Sequence, residues 1–141
     1  MSAPPVLLHA SCVAVQGRGL LITGPSGAGK SALALQLMAL GAELVADDQT
    51  LLTAEAGRLI ARAPEATSGL IEARFVGILR APALDMAEVA LVIDLSQTET
   101  ERLPRPREIV LAGIPCALAS FTAAPHLSAS LWCWLAHGRH A

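Results

Sequence analysis

Eight consecutive residues have types and spacing that cradle a phosphate: Gly24, Pro25, Ser26, Gly27, Ala28, Gly29, Lys30 and Ser31. They fulfil the pattern G-x-x-x-x-G-K-[ST]. The glycines let the backbone turn sharply and bring several N–H groups towards one point. A helix opening near Lys30 adds unpaired N–H groups and the positive end of its dipole. Lys30 supplies a full charge at the terminal phosphates, and the Ser31 hydroxyl suits Mg²⁺. The chain carries nine Arg and this single Lys. A chance match is roughly one in two hundred from ordinary residue frequencies, so a bare strand-to-helix turn is a poor account of the loop.

A pair of carboxylates, Asp47 and Asp48, follows at the end of a second apolar run, Glu43-Leu-Val-Ala. If that strand neighbours the one before the loop, the pair stands beside the phosphates. Adjacent strand residues point to opposite faces. One Asp can therefore face nucleotide and metal while the other faces an acceptor hydroxyl as general base. A solvated Asp-Asp turn is the plainer alternative.

These residues need a scaffold. Leu20-Leu-Ile-Thr23 is a short apolar run without alternation, as in a strand buried on both faces. From Lys30 to Leu40, Leu33, Leu37 and Leu40 recur with helical spacing, and Gly41 supplies a stop. Gly17 and Gly19, and later Gly57, mark hairpin turns. Val6–Val15, 51–53, 58–62, 89–95, 108–112 and 114–120 read as extended segments. Residues 69–80 read as strands around a turn, and 128–137 as a C-terminal helix with Leu131 and Leu135 on one face. Strands outnumber helices, which predicts an α/β fold with a mixed sheet around one central helix.

The 141 residues fit one domain, spanning 1–141. With 53% apolar and 16% charged residues, disorder is excluded. The net charge of -2, the absence of a basic run and the scarcity of aromatics argue against nucleic-acid binding. Cys12, Cys116 and Cys133 lack metal-type spacing and read as reduced thiols. Charged residues interrupt every long apolar stretch, and no signal peptide is apparent at the N-terminus. A cytoplasmic chain without membrane insertion is expected.

The motifs taken in order resemble the catalytic domain of HPr kinase/phosphorylase. His9-Ala-Ser-Cys-Val, the phosphate loop, Gly41-Ala-Glu-Leu-Val-Ala-Asp47-Asp48 and Gly69-Leu-Ile-Glu72-Ala-Arg74-Phe-Val-Gly77-Ile carry the likeness. The last is similar to the family segment E-[IV]-R-G-[LI]-G-I. The resemblance implies a phosphate-loop fold like that of phosphoenolpyruvate carboxykinases. It also implies an ATP- and Mg²⁺-dependent kinase acting on a serine of the phosphocarrier HPr, within the sugar phosphotransferase system. It assigns Asp47 as base, Lys30 to the transferring phosphoryl group, and His9 beside the phosphates. Ser31, Asp48 and Glu72 fall on the metal side, and Arg74 lines the site.

Three departures stand out. Ala32 replaces a frequent Glu, Phe75 replaces the Gly of E-x-R-G, and 114–125 holds no Arg or Lys where the family has basic residues. The pattern is similar to a short alphaproteobacterial form without the N-terminal domain. The kinase direction is therefore the expectation, rather than the phosphorylase. An ATP-binding signalling regulator is the alternative, and a homo-oligomer is compatible with either.

Overall fold

The computed structural model describes residues 4–141. The extended N-terminal run is two strands, β1 (Val6–Leu8) and β2 (Ala10–Val15), separated by a bend at His9. β2 returns as β3 (Arg18–Thr23) through Gln16 and Gly17, both at positive φ. That backbone matches the twist of paired strands, so the hairpin closes in two residues. β3 feeds the glycine loop, and α1 (Lys30–Ala39) follows. At Gly41, φ is 107°; its N–H bonds Met38 O, and the Ala42 N–H bonds Leu37 O. These bonds satisfy the last helical carbonyls and end the helix.

β4 (Glu43–Ala46) leads to the two carboxylates, then β5 (Thr50–Glu55) and β6 (Arg58–Arg62) form a hairpin. β7 (Leu70–Ala73) and β8 (Gly77–Arg80) make a separate two-stranded sheet. The long β9 (Ala87–Thr98), then β10 (Glu108–Leu111), β11 (Ile114–Phe121) and α2 (Leu127–His137) complete the chain.

Nine strands form one mixed sheet, with the main order β1-β5-β6-β9-β3-β2-β4. β3 and β11 both run parallel to β9. β6 pairs near the start of β9 and β11 near its end. The strand order changes one expectation: β4 is not beside β3, because β2 lies between them. Both β3–β2 and β2–β4 are antiparallel, so β3 and β4 still point the same way. The glycine loop and the Asp pair therefore leave the same end of the sheet.

The sheet is buried on both faces. Val13, Val15, Leu20, Ile22 and Leu44 pack against Leu33 and Leu37 of α1 and Leu131 and Leu135 of α2. Both helices thus lie on one face, where α1, the expected central helix, packs beside α2, the expected C-terminal helix. On the other face, Cys12, Ala14, Leu21 and Val45 meet Leu52, Leu59, Ala61 and Val92. β2 touches β5, and β4 touches β6, although neither pair is adjacent in the sheet. The sheet therefore curls over itself to cover that face. Leu20, Leu21 and Ile22 are fully buried, each gaining about 1.5–3 kcal/mol from burial. Arg18 ties the hairpin to α2 by donating to Leu135 O at 2.8 Å and Ala136 O at 3.1 Å. Trp132 and Trp134 pack against the helix-side core. No described helix is long and apolar enough to cross a membrane.

The three thiols test this packing. Cys12 is buried, and burial pushes its thiol up to about 12; burial also raises Cys116, whereas Cys133 is exposed. Only the thiolate is nucleophilic. Alkylation of the folded protein near pH 8 should modify Cys133, with Cys12 and Cys116 reacting only in denaturant. Mass spectrometry reads this directly, and rapid native labelling of Cys12 would contradict the fold.

Candidate functional site

The site begins where β3 ends. Gly24 takes φ 150°, and a Cβ there would lie 3.1 Å from the Ala28 Cβ and 3.2 Å from the Leu95 Cβ. A side chain at this position would push the loop off the neighbouring β9. Gly29 is the residue before α1, in the left-handed region with φ 98° and ψ 22°. No side chain caps the N-terminus of α1, and its first turn contains no acidic residue. Its leading N–H groups and dipole are therefore left to an anion.

Lys30 is buried although charged. Its Nζ donates to Gly24 O at 2.9 Å and Pro25 O at 3.1 Å, both in the loop itself. None of the ion pairs among the described residues includes it; they are Arg58–Glu88, Arg62–Glu55 and Arg107–Glu99. A buried cation held only by carbonyls lacks a counter-charge. An anion in the loop would provide one.

Asp47 occupies the centre of a polar knot in an otherwise apolar region. Its Oδ1 accepts from Ser31 Oγ at 2.6 Å and from Ser11 Oγ at 2.9 Å. Its Oδ2 accepts the Glu72 N–H at 3.0 Å. Ser11 Oγ also accepts the Asp48 N–H at 3.1 Å. One buried carboxylate thus joins α1, β2, the end of β4 and β7. The next residue, Asp48, is exposed and holds φ 63°. This left-handed turn directs the chain away from the sheet, a geometry that Asp tolerates better than most residues. Among the described residues, the Asp48 carboxylate has no hydrogen-bond partner in the side-chain network around Asp47.

A cleft of about 410 Å³ opens in front of these groups. Ser26, Gly27, Gly29, Lys30 and Ser31 line one side. Asp48, Glu72 and Arg74 line the other, with Ala32, Leu35, Ala73 and Val76 between. The loop, the Asp pair, Glu72 and Arg74 are thus brought together. His9 is not: it is exposed at the bend before β2 and does not line the cleft. Because Ala10 pairs with Thr23, His9 nonetheless stands at the loop end of the sheet. The expectation that it lies beside the phosphates has no counterpart in the cleft's lining.

The oxygen atoms around the cleft suit a hard cation. Ser31, Asp47, Asp48 and Glu72 offer only hydroxyl and carboxylate donors, the chemistry Mg²⁺ prefers. Three clustered protein ligands of the kind a fully protein-held ion needs are not found among the described residues. Mg²⁺ in nucleotide sites relies on one or two protein groups, with phosphates and water supplying the remainder. The donor set fits that mode.

Sequence reasoning passed over Ser11. Its signal was a hydroxyl in the run Ala10–Val15, all of which is buried. A buried hydroxyl in such a strand must find a partner.

A mixed sheet with a glycine loop and paired carboxylates at the same end, covered by helices on one face, defines an α/β domain. The chain belongs to the HPr serine kinase C-terminal domain family, whose model matches residues 2–106. It is 40% identical over 107 residues to HPr kinase/phosphorylase of Clostridium tetani, covering 71% of this chain and 35% of that protein. It is 48% identical over 82 residues to HPr kinase/phosphorylase of Clostridium perfringens, covering 58% and 27%. The chain therefore spans about a third or less of the length of these relatives. The solved structure of the Hpr(Ser) kinase/phosphatase from Coxiella burnetii superposes with a TM-score of 0.77 at 28% identity. That match covers 93% of each chain and so includes elements beyond residue 106.

Ser11→Ala tests the knot. It removes a donor to Asp47 and the acceptor of the Asp48 N–H at a fully buried position. A loss of about 1–3 kcal/mol is expected. It should appear as a lower urea midpoint with an unchanged slope. An unchanged midpoint would show that Asp47 does not depend on Ser11.

Proposed function

We propose that this chain is the catalytic domain of an ATP-dependent protein-serine kinase that phosphorylates the phosphocarrier HPr, and through it regulates the phosphotransferase system. The observation that carries the reading is Lys30: a buried cation, without an ion-pair partner among those described, resting on the carbonyls of its own glycine loop. A triphosphate would supply the counter-charge that Lys30 lacks, and the open helix start complements it. Membership of the HPr serine kinase C-terminal domain family, and the names of its relatives, support HPr as acceptor. The resemblance of the fold to phosphoenolpyruvate carboxykinases belongs to the same reading. Free thiols and the absence of a membrane-crossing helix among the described residues fit a cytoplasmic setting.

In this reading, Lys30 leaves the loop carbonyls and meets the transferring phosphoryl group. The loop N–H groups hold the β-phosphate side. When bound, Mg²⁺ neutralises charge on the phosphates. Ser31 and Asp47 form its protein side: the Ser31 hydroxyl donates to Asp47 at 2.6 Å and keeps its lone pairs for an ion. Glu72, which also lines the cleft, would join through water. The carboxylate left free in the cleft is Asp48. We assign it the proton of the acceptor serine, which reverses the division between Asp47 and Asp48 implied by the family resemblance. The serine oxygen then bonds to the γ-phosphorus as the bond to the ADP oxygen breaks. Positioning and charge neutralisation provide most of the acceleration. His9 receives no role in this chemistry.

Incubation with ATP, Mg²⁺ and HPr should yield phosphoserine. Lys30→Met should lose transfer by about a hundredfold or more, on the scale of removing one transition-state charge contact. Asp48→Asn should reduce kcat while preserving nucleotide affinity, whereas Asp47→Asn should weaken Mg²⁺-dependent nucleotide binding. The opposite outcome for the two variants would restore Asp47 as base. Nucleotide binding without any phosphoserine would favour the alternative, a nucleotide-sensing regulator.

A further inference from the structure

We infer that the tip of the β7–β8 hairpin is the docking surface for the acceptor protein, which it grips through an apolar patch next to the acceptor hydroxyl. This inference rests on the kinase reading above. Phe75 is 99% exposed, Val76 75% and Ile78 72%. Leu40, Met86 and Leu103 are isolated exposed side chains in separate connections, and Val6 and Leu7 lie on the edge strand β1, away from the cleft lining. Three in four consecutive positions on one projecting hairpin form a patch, and clustered exposed apolar surface marks an interaction site.

The backbone provides independent support. The Val76 N–H bonds Ala73 O at 2.9 Å, closing a turn around Arg74 and Phe75. Phe75 has φ 69°. In a turn with positive φ at its third residue, Gly is favoured and a bulky aromatic is an outlier. This is the position at which the resemblance noted above would place Gly. The chain thus holds a strained aromatic with no intramolecular packing to compensate. Strain of this kind is retained where the side chain meets something outside the fold.

Position selects the occupant. The Glu72 N–H binds Asp47 Oδ2, and Asp47 in turn holds Ser31. The hairpin is therefore fastened to the carboxylate side of the cleft, across from the glycine loop. Arg74 and Val76 line the cleft, while Phe75 stands just outside it. A hydroxyl entering for in-line transfer must come from the side facing away from the loop-held phosphates. A folded protein presenting that hydroxyl would lay the surrounding surface on Phe75 and Ile78. An apolar surface there would be matched, and Arg74 would meet polar groups nearer the serine.

The test uses HPr as probe and two variants outside the cleft, Phe75→Gly and Ile78→Thr. Glycine suits φ 69° and removes an unpacked side chain, so the thermal midpoint should hold or rise. Labelled HPr is titrated against the nucleotide-loaded protein by fluorescence anisotropy, and phosphoserine formation is followed in parallel. Both variants should weaken HPr binding about tenfold or more, as loss of an apolar anchor does. KM for HPr should rise to match, with nucleotide affinity and kcat at saturating HPr unchanged. Unaltered HPr affinity in both variants overturns the docking surface and leaves the kinase reading intact. If the parent protein binds HPr without phosphorylating it, the kinase reading fails, and the variants still decide the docking surface by affinity. If the parent protein does not bind HPr at all, the docking inference falls.

Discussion

The Asp47 carboxylate is the constraint on which the rest of the site depends. Among the described residues it is one of two buried charged side chains, with Lys30, and it lies beside a largely apolar core. A buried carboxylate persists only when hydrogen bonds replace its water. Here the donors come from three separate elements: Ser31 on α1, Ser11 on β2 and the Glu72 backbone on β7. Satisfying one charge therefore sets the distance between α1, the central sheet and the outlying hairpin. The same bonds that stabilise the carboxylate assemble the cleft.

This arrangement explains why the small β7–β8 sheet is well placed although it shares no strand pairing with the main sheet. A two-stranded hairpin alone is marginal in water. Packing of Ile71 in the helix-side core and the Glu72–Asp47 bond secure its base. Its tip has neither support and projects freely. Rigidity at the base and exposure at the tip suit a structure that must hold position against a site while presenting a surface outward.

Much of the architecture was legible because it rests on local signals. Gln16-Gly17 and Ala56-Gly57 announce hairpins by their need for positive φ. Gly41 ends α1, and the unbroken apolar run Leu20–Ile22 declares a strand buried on both faces. The order of strands was not legible. Nothing in β4 records that β2 intervenes between it and β3, because pairing is chosen by the whole sheet. For the same reason the sequence missed Ser11. A lone hydroxyl among Ala, Cys and Val becomes informative only once it is seen facing Asp47. The orientation of Asp47 and Asp48 was hidden too. Alternation shows that the two point apart, but not which one points inward. Burial of Asp47 and the left-handed turn at Asp48 settle their directions.

The position of Lys30 follows from the same economy. Its charge is the only ammonium side chain in the chain, and burial makes an unmatched charge costly. Carbonyl oxygens offset part of that cost with two hydrogen bonds, but partial dipoles are weaker partners than a full anion. Asp47 could have served as the counter-ion, yet its oxygens are occupied by Ser11, Ser31 and Glu72. Those bonds direct the carboxylate towards α1, β2 and β7, and no ion pair among the described residues joins it to Lys30. Cation and carboxylate therefore remain unpaired in the fold, the lysine on the loop carbonyls and the carboxylate in its own set of donors. A direct ion pair between them would have left the loop without an unmatched charge.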